Sequence, residues 1–237
     1  AATIVVTSCD DTNPAATNTC TLRQAIVSMN TGVLNGNCTV SDGENFGVHD
    51  TITFAASALA TAATPGTVTL ADSADTSGNV GGTLVIDDDT LTIDGNAWRG
   101  SGAGHYTDGV TIARPAGATH DFRVLRNTAP TGGRLVLKSV AIRNGYAFGG
   151  DGGGIAMNAA DLTMSDSRVS GNRANNGSGI WSPTGAITLT RCTIDGNIGG
   201  EYGGGLFSGS GNVTVTASTI SGNGNWNVTG GGGIHAG

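Results

Sequence analysis

The chain has 237 residues and a formal net charge of −7, enough length for one large domain or one solenoid. Gly supplies 41 residues and Pro only 5, with no Gly-X-Y period, which excludes collagen and argues against a Pro/Gly-rich disordered chain. The 11 Lys and Arg are scattered, so no basic stripe displaces counterions from nucleic acid, and no apolar run approaches the roughly 18 residues that span a bilayer.

The chain opens Ala1-Ala2-Thr3 without Met and enters a strand at Ile4-Val5-Val6. This start reads as a mature terminus left after signal-peptide removal. The one predicted helix is Thr21–Asn30, where Leu22, Ile26 and Met29 fall on one face. Residues 1–50 are expected to form an N-terminal cap of strand, short helix and disulfide loop. Cys9, Cys20 and Cys38 lie in it. Cys20–Cys38 is the preferred pair because it staples the helix to the following loop; Cys9–Cys20 is the rival, and one thiol is left over. Cysteine usage fits an oxidising compartment. His49, His105, His120 and His235 are isolated, so no zinc spacing exists.

Residues 51–237 are expected to form the body. Ile52-Thr53-Phe54, Val68-Thr69-Leu70, Leu84-Val85-Ile86, Leu91-Thr92-Ile93, Val110-Thr111-Ile112 and Phe122–Leu125 are strand candidates, with 96–109 and 113–120 as loops leaving the body. From Gly133 onward the pattern sharpens. Gly-Gly-Gly-apolar recurs around Ile155, Leu206 and Ile234, with a Gly-Ser-Gly variant before Ile180. Apolar-Ser/Asp-Gly-Asn recurs at Asn172, Asn197 and Asn223, and alternating strands begin at Leu162, Ile187 and Val213. Both registers step by 25 and 26 residues. Each repeat is therefore predicted to hold three short strands that bury their apolar faces only by stacking on neighbours. The fold class is all-β, a right-handed single-stranded parallel β-helix with a short capping α-helix. The recurrent Asn is placed at a turn, in left-handed backbone, with its amide bonding one rung away.

Ile4-Val5-Val6-Thr7, then Cys20-Thr21-Leu22-Arg23-Gln24-Ala25-Ile26, then Asp50-Thr51-Ile52-Thr53-Phe54 resemble the CSLREA-type N-terminal segment of secreted bacterial β-helix proteins. The Gly-Gly-Gly-Ile and Ile-Ser-Gly-Asn rungs are similar to those that follow it, and to the repeats of polymorphic outer-membrane proteins. The resemblance implies a right-handed helix capped by the short α-helix, and export to the outside or the cell surface. It implies no single activity, because this architecture hosts adhesins, lyases and other surface proteins.

Candidate chemistry is sparse. Asp87-Asp88-Asp89, with Asp94, is the best catalytic-looking cluster; adjacent carboxylates suit calcium or acid–base work on a glycoside, but Asp is also an ordinary turn residue. The Asn-Thr-Asp and Arg-Ile-Lys elements of polygalacturonase-like enzymes are missing, and Asp166 with Arg168 and Arg191 reads as a surface ion pair. Cys192 is expected inward, as a buried thiol. Ala156, Trp181, Phe207 and His235 form a predicted outward column, with Trp181 and Phe207 stacked. Tyr146, Phe148, Asp151, Glu201, Tyr202 and Trp226 fall on loops after the Asn column, and with Trp181 and Phe207 they make a predicted lateral ligand-binding rim. Aromatic faces beside polar groups suit sugars; exterior stacking that stiffens the solenoid is the plainer account. An outward Thr column (Thr163, Thr188, Thr214) invites an ice-binding reading, which β-propensity on a solvent face explains without it.

Two functions follow. The first is a secreted or cell-surface structural, adhesin-like β-helix contacting a polysaccharide or matrix component through that rim. The second is a polysaccharide lyase or glycoside hydrolase. The last rung begins at Gly232-Gly233-Ile234 and stops at Gly237. An open rung exposes unpaired strand edges, so either the natural chain is expected to continue or another subunit covers that end by self-association.

Overall fold

The computed structural model describes residues 1–11, 18–41, 45–47, 49–75, 79, 81–96, 109–226 and 230–237. Its named strands pair in parallel and stack into four sheets. The first sheet runs Thr3–Val6, Asp50–Phe54, Thr90–Asp94, Arg134–Lys138, Asp161–Ser165, Ile187–Thr190 and Val213–Thr216. The second runs from Thr67–Thr69 through Val110–Ala113, Val140–Arg143, Arg168–Ser170 and Thr193–Asp195 to Thr219–Ser221. The third holds Tyr146–Ala147, Arg173–Asn176, Ile198–Tyr202 and Gly224–Asn225. The fourth runs from Leu84–Ile86 through Leu125–Asn127, Ile155–Met157, Ile180–Ser182 and Leu206–Ser208 to Ile234–Ala236. From Arg134 the chain visits the four sheets in turn and returns to the first, one rung further along. The molecule is an all-β parallel β-solenoid.

The third sheet corrects the expectation of three strands per rung. Its segments, Arg173-Ala174-Asn175-Asn176 for example, lack alternating apolar residues, so periodicity cannot reveal them. They are held extended by the ladder to their neighbours instead. A second helix, Ala56–Thr61, was likewise hidden, because six residues are too few to show a helical period. The expected loop at 96–109 falls largely outside the described residues. The loop after Ala113 is described, and it is clasped to the body where Asp72 accepts the Thr119 and His120 amides at 2.8 and 3.0 Å.

The core is built from inward columns. Leu91, Leu135, Leu162, Ile187 and Val213 stack in register in the first sheet. Val68, Ile112, Ile142, Val169, Ile194 and Ile220 do so in the second. Leu84, Leu125, Ile155, Ile180, Leu206 and Ile234 do so in the fourth. Each buried aliphatic contributes roughly 1.5–3 kcal/mol. Cys192 continues the inward pattern as a buried free thiol, one rung from the Ser218 hydroxyl, which accepts its amide at 2.9 Å.

The rungs turn on left-handed residues. Between the first and second sheets these are Ser139 (φ 52°), Asp166 (50°), Arg191 (53°) and Ala217 (49°). Between the second and third sheets they are Asn144, then Gly171, Gly196 and Gly222. The recurrent Asn was expected to take this conformation itself. From the second such corner onward, the preceding Gly takes it, because Gly adopts positive φ without steric cost. That frees Asn172 and Asn197 to turn inward, where both are 0% exposed. There they build the predicted amide ladder. The Asn172 backbone and side-chain N–H groups donate to Asn197 Oδ1 at 3.0 and 2.9 Å. Those of Asn197 donate to Asn223 Oδ1, both at 3.0 Å. Each Nδ2 also reaches a core-strand carbonyl, Ile142, Val169 or Ile194. Gly154, Gly179 and Gly205 abut this ladder, and a Cβ there would strike Asn172, Asn197 or Asn223 and the next rung's carbonyl. The third Gly of the Gly-Gly-Gly motif is therefore a packing requirement.

At the N-terminal end, helix Leu22–Thr31 is opened by a capping box between Thr21 and Gln24. Leu22, Ala25, Ile26 and Met29 enter the core. Arg23 is buried and forks onto Asp11 at 2.9 and 2.6 Å while donating to the Thr83 and Gly82 carbonyls. Cys20 is bonded to Cys38, and Cys9 is a buried free thiol, so the Cys9–Cys20 alternative falls. All of Cys20–Ile26 is thus occupied in seating the cap.

Replacing Asn197 with Ala strands several buried partners at roughly 1–3 kcal/mol each. We expect a loss of about 3 kcal/mol by urea unfolding, whereas Thr188→Ala on the outer face should change stability by under about 0.5 kcal/mol.

Candidate functional site

Asp87, Asp88 and Asp89 line one shallow recess with Asn30, Phe46 and Asp50, but the three carboxylates do not converge. The three residues form the connection between Leu84–Ile86 and Thr90–Asp94, with a bend at Asp89, and each is held by different partners. Asp87 turns to Thr128, whose hydroxyl donates to it at 3.1 Å, while its own amide donates to Asn30. Asp88 turns inward and is buried, accepting the Thr90 amide at 2.9 Å. Burial raises its carboxyl to about 6, against the Thr90 bond and with repulsion from Asp50 and Asp89. Asp50 is 0% exposed and accepts the Ala2 and Gly47 amides. Among the described residues, no three His, Cys, Asp or Glu side chains come together as a metal would need. Asp166 forks onto Arg191 one rung away at 2.8 and 2.7 Å, as expected of an ion pair, while Arg168 also engages Asp195 at 2.8 and 2.6 Å.

The predicted rim residues are distributed over two faces. On the fourth sheet the outward row reads Val85, Arg126, Ala156, Trp181, Phe207, His235. Phe207 lies flat against His235, with centroids 5.3 Å apart and planes within 6°. Tyr202 leans on the same imidazole at 4.9 Å. Trp181 and Phe207 are register neighbours as expected, but the stacked pair in this row is Phe207 with His235. Ala156 stands between Arg126 and Trp181, so the row dips there. The dip is the floor of a cleft of about 420 Å³, walled by Arg126 and Trp181 and flanked by Arg123, Thr128, Asp151 and Asn158. Asp75 takes Arg123 at 2.9 Å, Arg126 at 3.2 Å and the Thr83 hydroxyl at 2.9 Å. Arg123 Nε is buried with no hydrogen-bond partner. Asp151 Oδ1 accepts from the Asn176 backbone and side chain at 3.2 and 2.8 Å. The sequence marked Trp181 and Asp151, but not Arg126, Arg123 or Asn158. Arg126 precedes the regular repeats, and only the register shows that it shares a row with Trp181.

Around the corner, on the third sheet, Tyr146 and Trp226 belong to a different arrangement. Arg173 lies over the Tyr146 ring at 5.7 Å and the Trp226 ring at 4.9 Å. Arg114 lies 5.9 Å from the Tyr146 centroid, and Phe148 packs edge-on to Tyr146 at 6.2 Å. Glu201 is exposed, and its carbonyl accepts the Asn225 amide. The rim thus divides into a Trp181 cleft and a cation–aromatic strip.

The chain matches no family model, no curated protein and no solved structure.

The raised Asp88 pKa has a signed consequence. Between about 4 and 6 the folded state binds more protons than the unfolded state, so this group's contribution makes stability fall as pH rises through that window. Asp88→Asn keeps an oxygen for the Thr90 amide and removes the charge. We expect it to raise Tm by a few degrees at pH 7 and by little at pH 4, measured by calorimetry at both pH values.

Proposed function

We propose that this protein is a secreted or cell-surface β-helix that holds a polysaccharide or matrix component against its flank, in the cleft between Arg126 and Trp181. The observation that carries this reading is the dip at Ala156, which turns a flat outward row into a walled site. An indole face supplies a platform for the apolar face of a sugar ring. Arg126, Asn158, Thr128 and Asp151 supply donors and acceptors for its hydroxyls. Phe207 and His235 continue the same row, so a chain of sugars laid along the solenoid axis meets further aromatic surface beyond Trp181. The CSLREA-like start of the chain supports export, and the Cys20–Cys38 disulfide fits an oxidising compartment.

An alternative, cleavage of an extracellular polysaccharide, draws on the raised Asp88 carboxyl, since a carboxyl near 6 is suited to general-acid work. Its burial against Asp50 and the divergence of Asp87 favour a structural account.

A glycan array followed by calorimetry on the best ligand tests the first reading. Trp181→Ala should weaken binding about tenfold or more, which corresponds to losing 1.4 kcal/mol or more, with unchanged circular dichroism. Equal binding by the variant would sink it. So would new reducing ends or unsaturated products that Asp89→Ala abolishes.

A further inference from the structure

We infer that the corner where the second sheet meets the third is a second site, separate from the Trp181 cleft, that takes an acidic polysaccharide bearing carboxylate or sulfate groups. The chain as a whole carries a charge of −7, yet Arg114, Arg143 and Arg173 gather at this corner, with exposed Glu201 further along the third sheet. Arg143 and Arg114 line a cleft of about 350 Å³ with the hydroxyls of Thr67, Thr69 and Thr111, and no acidic side chain is among its described lining residues. From Arg114 the surface continues over Tyr146 to Arg173 and Trp226.

The chemistry of that strip is directional. Arg114 and Arg173 both lie within 6 Å of the Tyr146 centroid, so this ring is engaged by guanidinium groups and is not a sugar platform. The same kind of contact holds the Arg173 guanidinium against two rings, Tyr146 and Trp226. Arg173 is exposed and no carboxylate contacts it among the described residues, so a ligand can reach its N–H donors from solvent. A planar fork held this way suits a carboxylate or sulfate, and holding it in advance lowers the entropy lost on binding. Arg114 is partly committed to the loop it clasps, donating to the Ala118 and His120 carbonyls with Asp121 4.0 Å away, while its guanidinium carbon stays 5.9 Å from the Tyr146 centroid. Trp226 is 54% exposed and Phe148 76% exposed, leaving ring surface beside the fork for the apolar side of a sugar. The cations follow the solenoid axis, so a polymer with anionic groups repeated along its length meets more than one of them at a time.

The inference does not rest on the Trp181 site, and the two are separable by salt and by variant. Heparin and polygalacturonate are the probes, with dextran as the neutral control and single-stranded DNA as the competing polyanion. Binding is measured by titration calorimetry across a salt series. The native protein should bind at least one acidic glycan, ignore dextran at this face, and weaken steeply as salt rises. Arg173→Gln should cut the affinity about tenfold and lower the slope of log K against log salt by about one. Arg143→Gln should add to that loss, while Thr188→Ala, on the outer face of the first sheet, leaves acidic-glycan binding unchanged. Circular dichroism and Tm confirm that each variant is folded. No binding of either acidic glycan by the native protein would overturn the inference. So would an Arg173→Gln/Arg143→Gln protein that binds like the native one, or DNA binding as tight as the glycan's at equal salt.

Discussion

Each rung of this solenoid leaves its backbone amides and carbonyls pointing along the axis, and only the next rung can satisfy them. That single constraint fixes the rest. Rungs in parallel register place like position over like position, so a residue's neighbours are set about 25 residues away rather than by local sequence. The columns of Leu, Ile and Val in the core follow from it, as do the rows outside. The Asn172–Asn197–Asn223 ladder follows too. A side-chain amide at one buried position costs free energy alone, but repeated in register it becomes a donor–acceptor chain running with the backbone.

The same constraint explains what could be read in the sequence. The inward columns, the 25–26-residue step, the Asn ladder and the outward row from Ala156 to His235 were legible because apolar and polar residues alternate strictly there. The capping helix was legible from Leu22, Ile26 and Met29, and the Cys20–Cys38 pair from its stapling geometry. The third sheet was not, since Arg173–Asn176 and Ile198–Tyr202 carry no alternation and are strands only because neighbouring rungs pair with them. Which residue takes the left-handed turn was misread for a related reason: Gly and Asn adjoin, both tolerate it, and only burial of the Asn decides.

The surface chemistry was half legible. Aromatic residues are rare enough to mark Trp181, Tyr202 and Trp226 individually. Their partners are not. Arg126 belongs to an early, irregular rung, and Arg173 sits in a segment with no pattern. The rim seen in the sequence as one feature is two because the corner at Gly152, Gly177 and Gly203 turns the chain between the third and fourth sheets. Tyr146 and Trp226 lie on one side of that corner, and Trp181 and Phe207 on the other. The Asp87–Asp89 run shows the reverse case. Adjacency in sequence suggested joint chemistry, but in the bent connection between two strands Asp87 turns to Thr128 and Asp88 to the Thr90 amide.

The dip at Ala156 has a consequence for how such a protein changes its ligand. Arg126 and Trp181 are separated by the single rung that carries Ala156, so the width of the gap comes in whole rungs of roughly 4.8 Å. Point substitutions can alter what the walls are made of. Only gain or loss of an entire repeat can alter how far apart they stand. Recognition on this flank is therefore graduated like a ruler, and a tandem duplication within the repeats would shift it by one mark at a time while leaving the core columns intact.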